Sequence, residues 1–543
     1  MASERRQLVR RATLIAALTL LSRVLGLMRD VACAAAFGAG LEWDAFSFAF
    51  RVPNLLRKLF AEGALGAAFV PTFTEYLEQR PREDAWQLAG RVATVMVAVL
   101  LVAVLIGEGI VLILPQAAPL NRRWRLALGL TAVMLPYMLL ICLTSLAGAI
   151  LNSLKHFFAP ALAPVLLNLC WIAAVVAVAP LVARDTAGQV FVVAGGIVVA
   201  GTLQLGLQLA ALRRRGFRWR LGLNLSDPGL RRIARGMAPV LIGMAVFQVN
   251  VLLDGVIALS LSAPEGLSSF SFLGAAIPYP MRIGAASVLY YGNRLMQFPL
   301  GVFGIALAAA AFPALSSLAA RKDWRGFSQT LTDGLALAVF VALPTGVGLA
   351  VLGRPAVELL FERGAFTAPM TARTQAVLVA YCVGLVAYCA QQMLARSFYS
   401  LQDMCTPMWI ALGSVAVNLA LNLTLIWPLA ESGLAAATAI SAILQVLVLY
   451  AILVRRGHLH RQGRLLATVL KSAAATGLMA AVVWAVLTLM PAHSPGDGLL
   501  RRAVRVFVPM AAGGAAYVGA AVTLKAREVR QLLGALARPR RVD

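Results

Sequence analysis

Charge is scarce in this chain of 543 residues: Asp, Glu, Lys and Arg together make up 13%, while hydrophobic residues reach 60%. A soluble domain carries roughly 45–50% apolar and about 25% charged residues, so an ordinary water-soluble globule is excluded. Acid is scarcer still, with 23 Asp and Glu against 48 Lys and Arg. Histidine occurs four times, at His156, His458, His460 and His493, always between apolar runs, which argues against a zinc or histidine-based catalytic centre. The six cysteines, Cys33, Cys142, Cys170, Cys382, Cys389 and Cys405, form no CxxC pair and read as small apolar packing residues, not as disulfides or ligands. No GxxxxGK[ST], HExxH or GxSxG pattern occurs, so nucleotide hydrolysis, zinc catalysis and serine-hydrolase chemistry lack support. Any driving force must then come from an ion gradient, the membrane potential or downstream consumption of product.

What the chain has instead is a succession of apolar runs of about 20 residues, each long enough to cross a hydrocarbon core roughly 30 Å thick. About fourteen such spans are predicted between residues 12 and 524, giving an all-α polytopic membrane protein. The first apolar run is interrupted by arginines and ends in no small-residue cleavage site, so it is read as a mature span and not a signal peptide. The formal net charge of +25 is spread over many short loops, which argues for topology and against nucleic acid. Roughly 30 of the basic residues fall on one set of alternate loops, and the positive-inside rule then places both termini in the cytoplasm.

The longest basic connection, 213–235, contains a DPG turn at 227–229 and divides the first six spans from the rest. This predicts an N-lobe over 1–220, a C-lobe over 221–457, and a two-span appendix with a basic tail over 458–543. An F-x-x-G-x-x-G motif at Phe60, Gly63 and Gly66 recurs at Phe298, Gly301 and Gly304, six spans later. Small-residue repeats also serve plain helix packing, yet duplicated bundles around a midplane site are a common transporter design. The appendix is almost wholly apolar apart from Lys471; it either packs against lipid and the lobes or forms a groove for a long apolar ligand.

Against this background, SRVLGLMRD at 22–30 stands out, because a charge near the bilayer centre costs roughly 2.5–3.5 kcal/mol on insertion scales and usually faces a polar cavity. Arg23 and Asp30, seven residues apart, are predicted to share a face, with Arg29 a third of a turn away. The second span adds Asp44, Arg51, Asn54, Arg57, Lys58 and Glu62 around Pro53, which is expected to bend the helix. The eighth adds Arg294, without an acidic close neighbour. Basic groups thus outnumber acids in the interior, and surplus guanidinium in a low-dielectric site favours a phosphate gripped bidentately. The alternative is that these residues form structural ion pairs or snorkel to the interface, with Asp30 and Asp44 as arginine partners or gate latches. A second polar set, Asp254, Asn418, Asn422 and Thr438, offers oxygens for a hard monovalent cation, or ordinary interhelical hydrogen bonds.

SRVLGLMRD, the run WDAFSFAFRVPNLLRKLFAEGALGAAFVPTFTEY at 43–76 and YYGNRLMQFPLGVFGIAL at 290–307 strongly resemble the MurJ (MviN) family of lipid II flippases, within the MOP exporter superfamily, over essentially the full chain. The resemblance implies alternating-access transport of undecaprenyl-diphosphate-linked disaccharide-pentapeptide from the cytoplasmic to the outer leaflet of the bacterial inner membrane, with no enzymatic step. It implies substrate-binding roles for Arg23, Arg29, Asp30, Asn54, Arg57 and Arg294, and gate or ion-pair roles for Asp44, Arg51 and Glu62. It also implies a sodium site on Asp254, Asn418, Asn422 and Thr438, with Asn422 standing where an aspartate can occur, and no other cofactor. Asn293 and Gln297 stand where relatives often carry acids, so this interior is expected to be the more cationic. The implied partners are lipid II, membrane lipids and other cell-wall synthesis proteins. A multidrug or cation antiporter would need an acidic or aromatic cavity, and a membrane glycosyltransferase would need clustered acids in an outer loop; neither is evident, while a non-transporting scaffold stays open.

Overall fold

The computed structural model describes residues 2–529 except 118–119, 218, 220–221, 223, 225, 265, 273, 461, 492–493 and 495; the side chains of some further residues, Glu62 among them, also lie outside the described set. Helix dominates because, without water in hydrocarbon, each segment must satisfy its own backbone groups. Among the described residues ten helices are long and apolar enough to cross a membrane, or eleven when Ala368–Val383 and Leu385–Ser400, bent by 42° at their junction, count as one span. Fourteen were expected. The remaining expected spans fall on Ala2–Phe37, on the helical run 41–79 and on Pro228–Ser260, and charges interrupt the apolar character of the first two.

Polar side chains start many of these helices. Asn121 accepts from the Trp124 amide, Asp185 from Gly188, Asp227 from Leu230 and Asp323 from Gly326, at 2.9–3.0 Å, each cap contributing about 1 kcal/mol. Asp227 and Pro228, read from sequence as a turn, are the N-cap and first residue of Pro228–Ser260.

The chain forms two compact units, Met1–Ser287 with Arg363–Phe366, and Val288–Glu362 with Thr367–Asp543. Pro228–Ser260 belongs to the first and packs along the 58–69 segment. An aromatic chain fills that unit: Phe37 stacks on Trp43, Trp43 on Phe46, and both Phe46 and Phe50 meet Trp171 edge-on at 5.6 and 4.8 Å. In the second unit one core gathers Phe327, Leu331, Met393, Phe398 and Leu453. A second core joins Phe340 to Met479, Val483 and Tyr517, and the Tyr517 hydroxyl donates to the Phe340 carbonyl at 2.6 Å. The last two spans are therefore packed onto Trp324–Val351.

Pro53 does not end its helix, which runs through it to Arg57; the irregularity follows as a π-helix, Lys58–Phe69. Two further π-helices are Ala174–Val178 and Leu300–Gly304, the latter interrupting the eighth span. Gly63 and Gly66 of one copy of the F-x-x-G-x-x-G motif and Gly301 and Gly304 of the other thus sit on widened turns. Such turns are rare and frequently lie at functional positions.

Candidate functional site

In the first unit, the two arginines of SRVLGLMRD part company. Arg29 is buried, with Nε and Nη2 both on Asp30 Oδ1 at 3.0 and 2.7 Å. Its Nη1 donates to Asn168 Oδ1 at 3.1 Å, and the guanidinium lies 4.4 Å from the Trp171 ring centroid. Asn168 in turn donates to the Ser22 carbonyl at 3.0 Å, tying the partner helix back to the motif. Arg23 and Asp30 lie two turns apart on the same side of one continuous helix, yet Asp30 is 1% exposed and Arg23 is exposed, so the neighbours that cover Asp30 do not extend to Arg23. Arg23 makes no hydrogen bond or ion pair with another described residue. It stands among exposed Leu20, Val24 and Leu27.

Asp44 is wholly buried and works on backbone. It accepts from the Gly284 amide at 2.7 Å, and from the Ser287 amide and hydroxyl at 2.8 and 2.7 Å, at the start of the eighth span. An acid at a helix N-terminus satisfies orphan N–H groups and complements the macrodipole. Gly284 is required there: its φ is +92°, and a Cβ would fall 2.1 Å from the Ala39 carbonyl oxygen. The other end of the same connection is held by Arg123, also buried, whose guanidinium donates to the carbonyls of Leu259, Ser262 and Ala263 at 2.8–3.0 Å. Between these anchors the connection carries an antiparallel hairpin, Ser269–Phe272 with Ala275–Pro278. Arg123 and Asn168 were missed at sequence level; both are long-range partners, and nothing local marks them.

Arg51 is half-buried and reaches the Val251 carbonyl at 3.4 Å. Arg57 Nε donates to Asn54 Oδ1 at 3.0 Å, which brings two of the expected substrate-binding residues together one turn apart. Glu62 lies outside the described side chains. In the second unit Arg294 is half-buried, and one turn away Gln297 donates its amide to Asn293 Oδ1, which links the two amides that stand where relatives were expected to carry acids.

The four expected cation ligands divide between the units: Asp254 lies in the first, while Asn418, Asn422 and Thr438 lie in the second. Asn422 donates to Asn418 Oδ1 at 3.0 Å, Asn418 contacts Ser441 Oγ at 3.4 Å, and Thr438 donates to the Leu434 carbonyl at 2.9 Å. These residues offer neutral oxygens. Among the described residues no cluster of three or more His, Cys, Asp or Glu side chains suited to a metal ion is found.

The family model described as "Lipid II flippase MurJ" matches residues 33–503. The chain belongs to the MurJ family. A probable lipid II flippase MurJ of Vibrio cholerae is 34% identical over 536 residues, covering 96% of this chain and 97% of its own. The lipid II flippase MurJ of Burkholderia cenocepacia is 35% identical over 453 residues, covering 82% and 83%. Among solved structures, a MurJ in an inward closed conformation superposes with a TM-score of 0.75 at 23% identity, covering 96% of this chain and all of that one. An inward-facing MATE multidrug transporter of the MOP superfamily superposes at 0.64 and 14% identity, covering 82% and 98%; both likenesses concern the fold. This MurJ-family chain is therefore a multi-pass membrane protein of MOP-type fold.

Proposed function

We propose that this protein translocates lipid II, the substrate in its family's name, from the cytoplasmic to the outer leaflet of the inner membrane, for peptidoglycan synthesis. One observation carries the reading: Arg23, an exposed guanidinium without a partner among the described residues, stands on an otherwise apolar helical face. Lipid tails do not solvate such a charge, so it belongs against water or an anion. A diphosphate offers the planar oxygen pairs a guanidinium grips best. In this scheme Arg23, Arg57 and Arg294 are the grips, and Arg29, saturated by Asp30 and Asn168, is the pillar that fixes the helix carrying Arg23. No covalent bond is made; the protein presents the headgroup alternately to the two membrane faces, with both termini cytoplasmic. A cationic-drug antiporter is the poorer match, because an unpaired arginine repels cations.

The test is protein reconstituted in vesicles with lipid II, scored by the change in accessibility of the headgroup to an external probe. Arg23→Ala and Arg294→Ala should each reduce translocation at least about tenfold, the effect of losing a charge-assisted hydrogen bond of roughly 1.5–3 kcal/mol. Wild-type translocation in both folded variants would overturn the proposal.

A further inference from the structure

Where the last two spans leave the membrane, the second unit holds a cavity of about 530 Å³ lined by Gly463, Arg464, Ala467, Thr468, Lys471, Arg527 and Glu528. That volume lies within the roughly 300–1,000 Å³ typical of small-ligand sites. Its lining carries three bases against one acid. The acid is already engaged: Glu528, 3% exposed, accepts from the Thr468 hydroxyl at 2.8 Å. Arg464 is anchored by an ion pair with Asp333, while its buried Nε has no hydrogen-bond partner among the described residues. Among the described residues Lys471 Nζ donates to a backbone carbonyl, that of Lys525, at 3.4 Å, and Arg527 is exposed. The cavity is thus cationic, and one of the arginines that line it has a buried Nε–H without a hydrogen-bond partner among the described residues.

Beside it the surface is apolar. Leu466 and Leu470, one turn apart on the next face of the Gly463–Leu489 helix, are each 60% exposed, and Val469 and Leu524 are exposed with them. We infer that this cavity binds the phosphodiester headgroup of an anionic phospholipid, with the acyl chains lying along the Leu466–Leu470 face. A basic pocket at the membrane boundary, continuous with exposed leucines, fits a molecule that is anionic at one end and hydrocarbon at the other. The chain's own ending is the wrong occupant: residues 530–543 bring Arg530, Arg538, Arg540 and Arg541 against a single Asp543, a charge the pocket repels. The site uses none of the residues assigned to lipid II and needs no lipid II.

The full chain in nanodiscs of mixed phosphatidylcholine and phosphatidylglycerol, without lipid II, provides the test, read as lipid retained per protein by native mass spectrometry. Wild type should retain phosphatidylglycerol over phosphatidylcholine, and Lys471→Gln with Arg527→Gln should weaken that retention by about tenfold or more, since each base near an anionic surface contributes on the order of 1 kcal/mol. Unfolding of the double variant in pure phosphatidylcholine should match wild type, which separates loss of binding from loss of fold. Equal retention by the double variant would overturn the inference. So would complete displacement of phosphatidylglycerol by soluble glycerol phosphate, which would show a site for the free anion.

Discussion

Arg23 and Arg29 sit six residues apart on one helix, yet substitution should affect them in opposite ways. Arg29→Ala removes a guanidinium that pairs with the buried Asp30, and breaking a buried pair costs roughly 3–5 kcal/mol. The expected outcome is a clear fall in thermal stability. Removing both charges with Arg29→Met and Asp30→Leu should recover most of it, because no uncompensated ion is left behind. Arg23→Ala should leave the unfolding temperature unchanged and reduce translocation at least about tenfold. Parallel melting and transport measurements on the three variants decide between a pillar and a grip. If Arg23→Ala is the destabilised one, the assignment is reversed.

Helix ends are where this chain spends its scarce acids. Asp44→Ala leaves the Gly284 and Ser287 amides buried without an acceptor, a penalty of about 1–3 kcal/mol, and hydrogen exchange at 284–287 should accelerate. Exchange that stays slow would mean that the hairpin connection is held without the carboxylate. Asp403 plays the equivalent part at the turn before Cys405–Leu429, accepting from the Thr406 amide and hydroxyl and from Arg456 at 2.6–2.9 Å. Burial pushes its carboxyl up, but the hydrogen bonds from Arg456 and Thr406 outweigh this and hold it at about 2. A depressed folded pKa stabilises above the ordinary carboxylate value of 3.8 and is lost as pH falls towards 2. Asp403→Asn should therefore lower the melting temperature at pH 7 and converge with wild type near pH 2. The helices themselves were legible in the sequence, because apolar runs of membrane length admit little else. The pairing legible in the sequence was local, Arg29 with Asp30; that of Arg57 with Asn54, though also local, was not read from it. Asn168, Arg123 and the Gly284 amide act across more than a hundred residues, and no periodicity in the chain announces them.

For the whole molecule, a chain of net charge +25 works in an electric field. Moving one charge through the full potential is worth about 2.3 kcal/mol per 100 mV, so an inside-negative potential should draw an empty cationic site back towards the cytoplasm, while a bound diphosphate cancels that pull. In proteoliposomes the reset after release should quicken with imposed voltage, and Arg23→Ala should blunt the response; a voltage-indifferent reset would sink this account. The widened turns add a mechanical aspect. The π segments at Lys58–Phe69 and Leu300–Gly304 each hold surplus chain within a helix. Every residue released from such a turn into ordinary α geometry rotates the helix beyond it by about 100°. These two stretches are stored rotations: sliding one residue of slack along either helix would swing a side chain from one wall to another, without breaking the helix or moving its ends.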